Sequence, residues 1–293
     1  MGQASNTLPD FDAWWDYDHP DVTEGKFREV LPLAEQAGNR EYLVELLTQI
    51  ARTEGLQRRF AEAHATLDRV EGLLHDDLRR ARVRYLLERG RVFNSSKHPD
   101  EARPLFLEAW ELGRASGEDF HAIDAAHMVA IVAPPEESTA WNLKALELAE
   151  QTKDARSKEW LGSLYNNMGW TAHDQRDYEE ALRLFEKALA AREVQGDVEL
   201  IKAGGWCVAR ALRSLGRVEE ALERQEGLLR EYANVGKTDG YVYEELGECL
   251  YALNRQEEAR PFFARAYAEL SKDAWLVNGE PERLQRLKEL GRG

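Results

Sequence analysis

The stretch SLYNNMGWTAHDQRDYEEALRLFEKALAARE, residues 163–193, reads as two helices joined by a short turn, and YVYEELGECLYALNRQEEARPFFARAYAEL, residues 241–270, repeats its pattern. Working outward from these two, the small residue at which a second helix returns onto a first recurs as Ala63, Ala102, Ser138, Ala181, Ala221 and Ala259. The intervals are 39, 36, 43, 40 and 38 residues. Twelve residues before each stands Ala51, Gly90, Ala126, Gly169, Ala209 or Gly247. Small residues at both places let two helix backbones approach closely, so the pattern has a packing cause. Seven residues after the anchors come Val70, Ala109, Ala145, Ala188, Leu228 and Ala266. Phe106, Phe185 and Phe263 fill a larger position four residues after their anchors, where the other copies carry Leu67, Asn142 and Gln225. A plain helical bundle would show amphipathic helices but not small–small pairs at a constant offset. Helix pairs of this kind cannot bury their apolar faces alone and stack on their neighbours.

In these positions the chain resembles the tetratricopeptide repeat family, whose signature sets an aromatic, Leu-Gly, Ala, Phe and Ala at fixed offsets. Tyr165, Met168-Gly169, Ala181, Phe185 and Ala188 match it, as do Tyr243, Leu246-Gly247, Ala259, Phe263 and Ala266, and a third time Gly90, Ala102, Phe106 and Ala109. The period exceeds the family's ~34 residues, which is similar to the extended variants in kinesin light chains and large bacterial regulators. The resemblance implies an all-α, right-handed superhelical solenoid of stacked antiparallel helix pairs. It also implies a bacterial-type protein-interaction module whose first helices line a concave, ligand-binding groove. The expected organisation is an aromatic segment with a capping or degenerate-repeat helix over 1–40, six helix pairs over 41–273, and a capping helix over 274–293.

Composition narrows the function. The formal charge of −15 repels phosphate backbones and anionic lipid, so neither nucleic acid nor membrane is expected as a partner. No apolar run approaches the ~20 residues of a membrane span, and the start MGQASNTLPD lacks the basic and apolar regions of a signal peptide. The two cysteines, Cys207 and Cys249, fall in first helices and read as buried free thiols, so the cytoplasm is the expected location. Gly and Pro gather at turns such as Gly55, Gly117, Pro134-Pro135, Gly196 and Gly216.

The ends of the array carry their own signals. Pro281 opens a helix with Leu284, Leu287 and Leu290 on one face. At the start, residues 21–37 read as a helix, and before it lies DFDAWWDYDHPD, with Phe11, Trp14, Trp15 and Tyr17 among acidic residues. These aromatics cap the first repeat, or they form an acidic–aromatic ligand for the chain's own groove or a neighbour's.

With the small residue of each first helix as position eight, positions two, five, nine and twelve share one stripe. Position nine holds Arg52, Arg91, His127, Trp170, Arg210 and Glu248, and position five holds Asn166 and Trp206 among others. Arg84 and Arg213 add cations at positions two and twelve. Forked guanidinium donors beside indole rings suit an acidic peptide with an aromatic anchor. The expected groove is therefore Arg52, Arg84, Arg91, Arg210 and Arg213 for anions, Trp170 and Trp206 for apolar contact, and Asn166 for ligand backbone. Glu244, Glu248 and Tyr241 would receive a basic group. The plain alternative is that these arginines pair with acids of neighbouring helices. Positions five and nine never read Lys–Asn, so the chaperone-type carboxylate clamp of some family members is not expected.

Chemistry is thinly represented. His121, Asp124 and His127 lie three apart on one helix, but no second cluster completes a metal site, and there is no phosphate loop, dinucleotide fingerprint or nucleophile elbow. Gly204-Gly205 sits in a first helix with no motif around it. No enzyme activity, cofactor or metal is expected. The leading reading is a non-catalytic adaptor or scaffold binding another protein or peptide. A regulatory sensor for a small metabolite or signalling peptide is the alternative, and self-association through the N-terminal aromatic segment is the third reading.

Overall fold

The computed structural model describes residues 8–292, and every regular element among them is helical. The chain divides into two compact units, the first ending at Trp160 and the second beginning at Leu161. In unit 1 a short 3-10 turn, Phe11–Trp14, precedes α1 (Pro20–Gln36), α2 (Arg40–Leu56), α3 (Phe60–Leu73), α4 (Arg79–Ser95), α5 (Pro99–Ser116), α6 (Asp119–Val132), α7 (Pro135–Gln151) and the single turn α8 (Ala155–Lys158). Consecutive helices pack on each other, and the first helices α2, α4 and α6 also touch in sequence. Unit 2 contains α9 (Trp160–Asp174, all but its first residue), α10 (Tyr178–Gln195), α11 (Val198–Ser214), α12 (Val218–Asn234), α13 (Gly240–Ala252), α14 (Gln256–Leu270), α15 (Ala274–Gly279) and α16 (Pro281–Arg292). Here α16 lies on α14, burying Leu284 and Leu287.

Each anchor is the fourth residue of its second helix, Ser138 of α7 included. The five alanine anchors are buried. A Cβ on Gly169 would lie 2.6 Å from the ring of Phe185, and one on Gly247 would lie 2.8 Å from Phe263. Gly90 meets Phe106 in the same way. The three copies with Phe therefore carry Gly opposite it. The copies with Leu67, Asn142 or Gln225 carry Ala51, Ala126 or Ala209. Ring and missing Cβ fill one volume, and this sets how closely each helix pair approaches.

The turns inside the pairs are equally regular. Arg58, Lys97, Arg176, Gly216 and Asn254 each have positive φ and each stand two residues before the second helix. Arg176 N–H donates to His173 O at 3.0 Å and Asp177 N–H to Ala172 O at 2.9 Å, the paired bonds that close a helix C-terminus through a left-handed residue. The expected turn glycine, Gly55, instead lies in the last turn of α2, and Arg58 takes the left-handed position. In the α6–α7 connection Ala133 and Pro134 are extended, because a residue before proline is driven out of helical conformations.

Two outcomes follow. Gly169→Ala should destabilise unit 2 by about 1–2 kcal/mol, overpacking outweighing the gain in helix propensity, and adding Phe185→Leu should recover most of it. Thermal melts of the two single variants and the double variant would measure that coupling. Arg176→Gly relieves a left-handed side chain and should stabilise by about 0.5–1 kcal/mol, read as a higher denaturation midpoint.

Candidate functional site

In unit 1 the predicted cations lie on the first-helix stripe, and each has an acid. Arg84 is buried on α4. Its Nη2 donates to Asp12 Oδ1 at 2.6 Å, and its Nη1 to Asp12 Oδ2 and to Glu45 Oε2, each at 3.0 Å. Arg91 donates to Glu88 at 2.7 Å and to Asp124 at 2.6 Å. Arg52 reaches the other oxygen of Glu88 at 3.3 Å. Burial raises the Asp12 pKa, but Arg84 outweighs it and leaves the carboxyl below its ordinary value. Glu45, also buried beside Arg84, ends above its ordinary value. Asp124, counted with His121 and His127 as a metal candidate, is held by Arg91. Among the described residues no three His, Cys, Asp or Glu side chains gather to hold a metal ion.

The acidic–aromatic N-terminal segment completes this site. Phe11 and Trp14 turn toward α1 and α2: Phe11 is buried edge-on against Phe27 and Tyr42, and Trp14 stacks near Phe27. Asp12 turns toward α4, while Trp15, edge-on to Phe27 at 5.5 Å, and Tyr17 extend along α2. Trp15 Nε1 donates to Gln49 Oε1 at 3.0 Å, Tyr17 stacks on Trp15 at 4.7 Å, and the Arg52 guanidinium stands 5.8 Å from the Tyr17 ring. Together with Phe120, Arg156 and Trp160 they enclose a cavity of about 280 Å³. Arg156 covers the Phe120 ring at 4.1 Å and reaches Asp12 at 3.4 Å.

In unit 2 the predicted aromatic and amide residues converge. Trp170 and Trp206 stand 5.9 Å apart, and Trp206 donates to the carbonyl of Tyr241 at 3.1 Å. Asn166 accepts the Cys207 thiol at 3.5 Å through Oδ1. These residues line a largely apolar cavity of about 320 Å³ that also receives Arg192 and Lys202. The sequence reading missed both cations, since Arg192 lies on a second helix and Lys202 one position before the chosen stripe. Beside it, a second cavity of about 480 Å³ holds Arg210 and Arg213. Arg213 donates to both oxygens of Glu245, at 2.5 and 3.1 Å, whereas Arg210 stands 3.9 Å from Glu245. Burial and the neighbouring Arg213 hold the Arg210 pKa down. Glu244 and Glu248, expected to receive a basic group, are engaged by Arg283 and Arg286 of α16.

The thiols offer little nucleophilic chemistry. Burial pushes Cys207 up to about 11 and Cys249 up to about 12, far from the thiolate range at neutral pH.

Asp12→Asn tests the N-terminal docking. It should cost about 1.5–3 kcal/mol, the range for hydrogen bonds to charged groups, and release Trp15 and Tyr17 with a red-shifted tryptophan emission. The pH dependence has a definite sign. A carboxyl lowered in the folded state contributes stability above its unfolded pKa of about 3.9 and loses it as pH falls through the lower folded value. The native emission should therefore persist at pH 5 and shift only below about pH 4.

Models of the tetratricopeptide repeat match residues 135–193 and 208–274. A signal transduction ATPase with a tetratricopeptide repeat sensor from Pyrococcus horikoshii is similar in fold, with TM-score 0.71, 14% identity, and 91% of this chain aligned to 42% of that one. BtubC from P. vanneervenii aligns 79% of this chain with 94% of its own at TM-score 0.59 and 15% identity. NprR in complex with its cognate peptide NprX aligns 99% with 85% at TM-score 0.53 and 14% identity. No curated protein sequence matches the chain. Two repeat models on separate stretches, these neighbours in fold, and the repeated glycine–phenylalanine contact agree: residues 135–193 and 208–274 are tetratricopeptide repeats, in a chain with the all-α fold of tetratricopeptide repeat proteins.

Proposed function

We propose that the chain is a non-catalytic adaptor or scaffold that captures a peptide or protein segment carrying carboxylates beside an aromatic anchor. One observation carries this reading: in the chain's own segment DAWWDY, residues 12–17, Asp12 puts its carboxylate on Arg84, and Trp15 and Tyr17 set their rings against Gln49 and Arg52 of α2. A surface that accepts such a segment in cis has the chemistry to accept one in trans. Asp12 and Tyr17 are then exchangeable contacts, and an incoming acid would take Arg84 and the loosely paired Arg52. Arg91 serves by holding Glu88 and Asp124 in place. In unit 2, Trp170 and Trp206 offer ring area, Asn166 an amide, and Arg210 an incompletely paired cation, with Arg213 beside it. The crystal structure of NprR with its cognate peptide supports a peptide ligand by analogy of fold. Two buried thiols held as free cysteines support a reducing, cytoplasmic setting.

The reading predicts that a labelled synthetic peptide of residues 8–19 binds in trans. Binding should be at least ten-fold tighter to a chain carrying Asp12→Ala and Tyr17→Ala than to the unaltered chain, because the internal competitor is weakened. Fluorescence anisotropy reads this directly, and equal or absent binding to both chains would defeat the proposal. A mass that rises with concentration and returns to the monomer on adding excess peptide would mean that the same segment docks between copies.

A further inference from the structure

The unit 2 cavity contains a buried arginine, Arg192, without an ion-pair partner among the described residues, beside a lysine, Lys202, that shares its acid with Lys237. Arg192 projects from the last turns of α10 and is only 7% exposed. Among the described residues its guanidinium donates to a neutral acceptor, the carbonyl of Leu200, at 3.3 Å. Among the described residues no carboxylate stands within ion-pair distance of it. Lys202 of α11 is 4% exposed, 4.3 Å from the centroid of the Tyr232 ring and 3.6 Å from Glu199, whose carboxylate is closer to Lys237 at 3.1 Å. Asp239 also lines the cavity, but its Oδ1 accepts the backbone N–H groups of Tyr241 and Val242 at the start of α13. Burying a cation without a matched anion is costly, and chains rarely retain such an arrangement without a compensating partner.

The backbone makes room for this cation. A Cβ on Gly162 of α9 would lie 3.0 Å from Arg192 Cγ, whereas a Cβ on Gly204 of α11 would first meet Leu189, at 3.2 Å, and stand 3.4 Å from Arg192 Nη1. Glycine inside a helix is destabilising, so Gly162 against the stem of a buried arginine marks a recess built for that side chain. Trp170, Trp206 and Tyr241 line the same cavity.

We infer that this recess is a binding site for a carboxylate carried on an aromatic or other flat apolar body, the anion held by Arg192 and Lys202 and the body lying between Trp206 and Tyr232. The charged donors are few and the remaining wall is apolar, which suits one carboxylate. A phosphate would leave acceptor oxygens without partners. A cavity of about 320 Å³ admits one side chain or a small acid. The source is either a free small acid or the C-terminal carboxylate of a peptide ending in an aromatic residue. This deepens the reading of unit 2 given above by naming the bound group, and it uses no residue of the unit 1 site.

Titration calorimetry on the full chain tests it with two matched pairs of probes: indole-3-acetate against indole-3-acetamide, and the tripeptide Gly-Gly-Phe against its C-terminal amide. At least one acid should bind below 1 mM and at least ten-fold more tightly than its amide, and the tighter acid identifies the source. Arg192→Met and Lys202→Met should each weaken that acid ten-fold or more. Arg192→Met should also raise the melting temperature of the unliganded chain, because it removes an uncompensated buried charge. A lowered melting temperature with unchanged acid binding would make Arg192 a structural residue and overturn the inference, as would the absence of any acid–amide difference. Binding of the 8–19 peptide in unit 1 should be unaffected by Arg192→Met, so failure of one proposal is distinguishable from failure of the other.

Discussion

The close approach of paired helices at one glycine or alanine per repeat is the constraint on which the other features depend. A phenylalanine ring from the second helix occupies the space where a first-helix Cβ would stand, at Gly90, Gly169 and Gly247. Fixing that contact fixes the rotation of the first helix, and rotation decides which residues form its outward stripe. Arg52, Arg91, Trp170 and Arg210 follow the small residue by one position. Their placement on that stripe is therefore a consequence of packing behind them. The left-handed residue two places before each second helix acts in the same sense, because it sets the turn that returns the chain onto its own small residue.

Charge is organised by the repeat as well. Arg84 with Glu45, Arg52 with Glu88, Arg91 with Asp124, Arg213 with Glu245 and Arg283 with Glu244 are separated by 39, 36, 33, 32 and 39 residues, about one repeat each. Each bond ties one first helix to the next, or the last of them to α16. In an array whose stability is a sum of unit and nearest-neighbour terms, such pairs belong to the neighbour term. They also explain how an acidic protein keeps a stripe of arginines: partly buried pairs are screened less than exposed ones, so each cation is matched locally. The first-helix faces are thus near neutral, with residual positive character where pairing is loose, at Arg52 and Arg210.

The fold was legible because its determinants are periodic. Ala63, Ala181 and Phe185 recur at fixed offsets, and self-similarity needs no knowledge of tertiary partners. The stripe was legible for the same reason, and Asn166, Trp170 and Trp206 do meet at one cavity. What sequence could not convey was who neutralises whom. Asp12 lies 72 residues from Arg84, outside any repeat, and its role depends on a turn that sends Phe11 to the core and Asp12 to the stripe. The left-handed arginines and lysine at the turns were hidden because propensity favours glycine there, and a pair of closing hydrogen bonds overrides it. Arg192 was hidden because it lies on a second helix, where the stripe argument assigns no function.

The same pairing rule gives Arg192 its meaning. Where a cation on the inner stripe has an acid one repeat away, its charge is accounted for by the array, and nothing further is required of it. Arg192 has no such acid, and Lys202 shares Glu199 with Lys237, yet both are more deeply buried than Arg52 or Arg210, and α9 forgoes a side chain at Gly162 against the Arg192 stem. Stability alone would favour an apolar residue in that recess. In an array that neutralises its other inner cations one repeat away, a buried arginine without an acid is the reason the proposed anion is placed at Arg192.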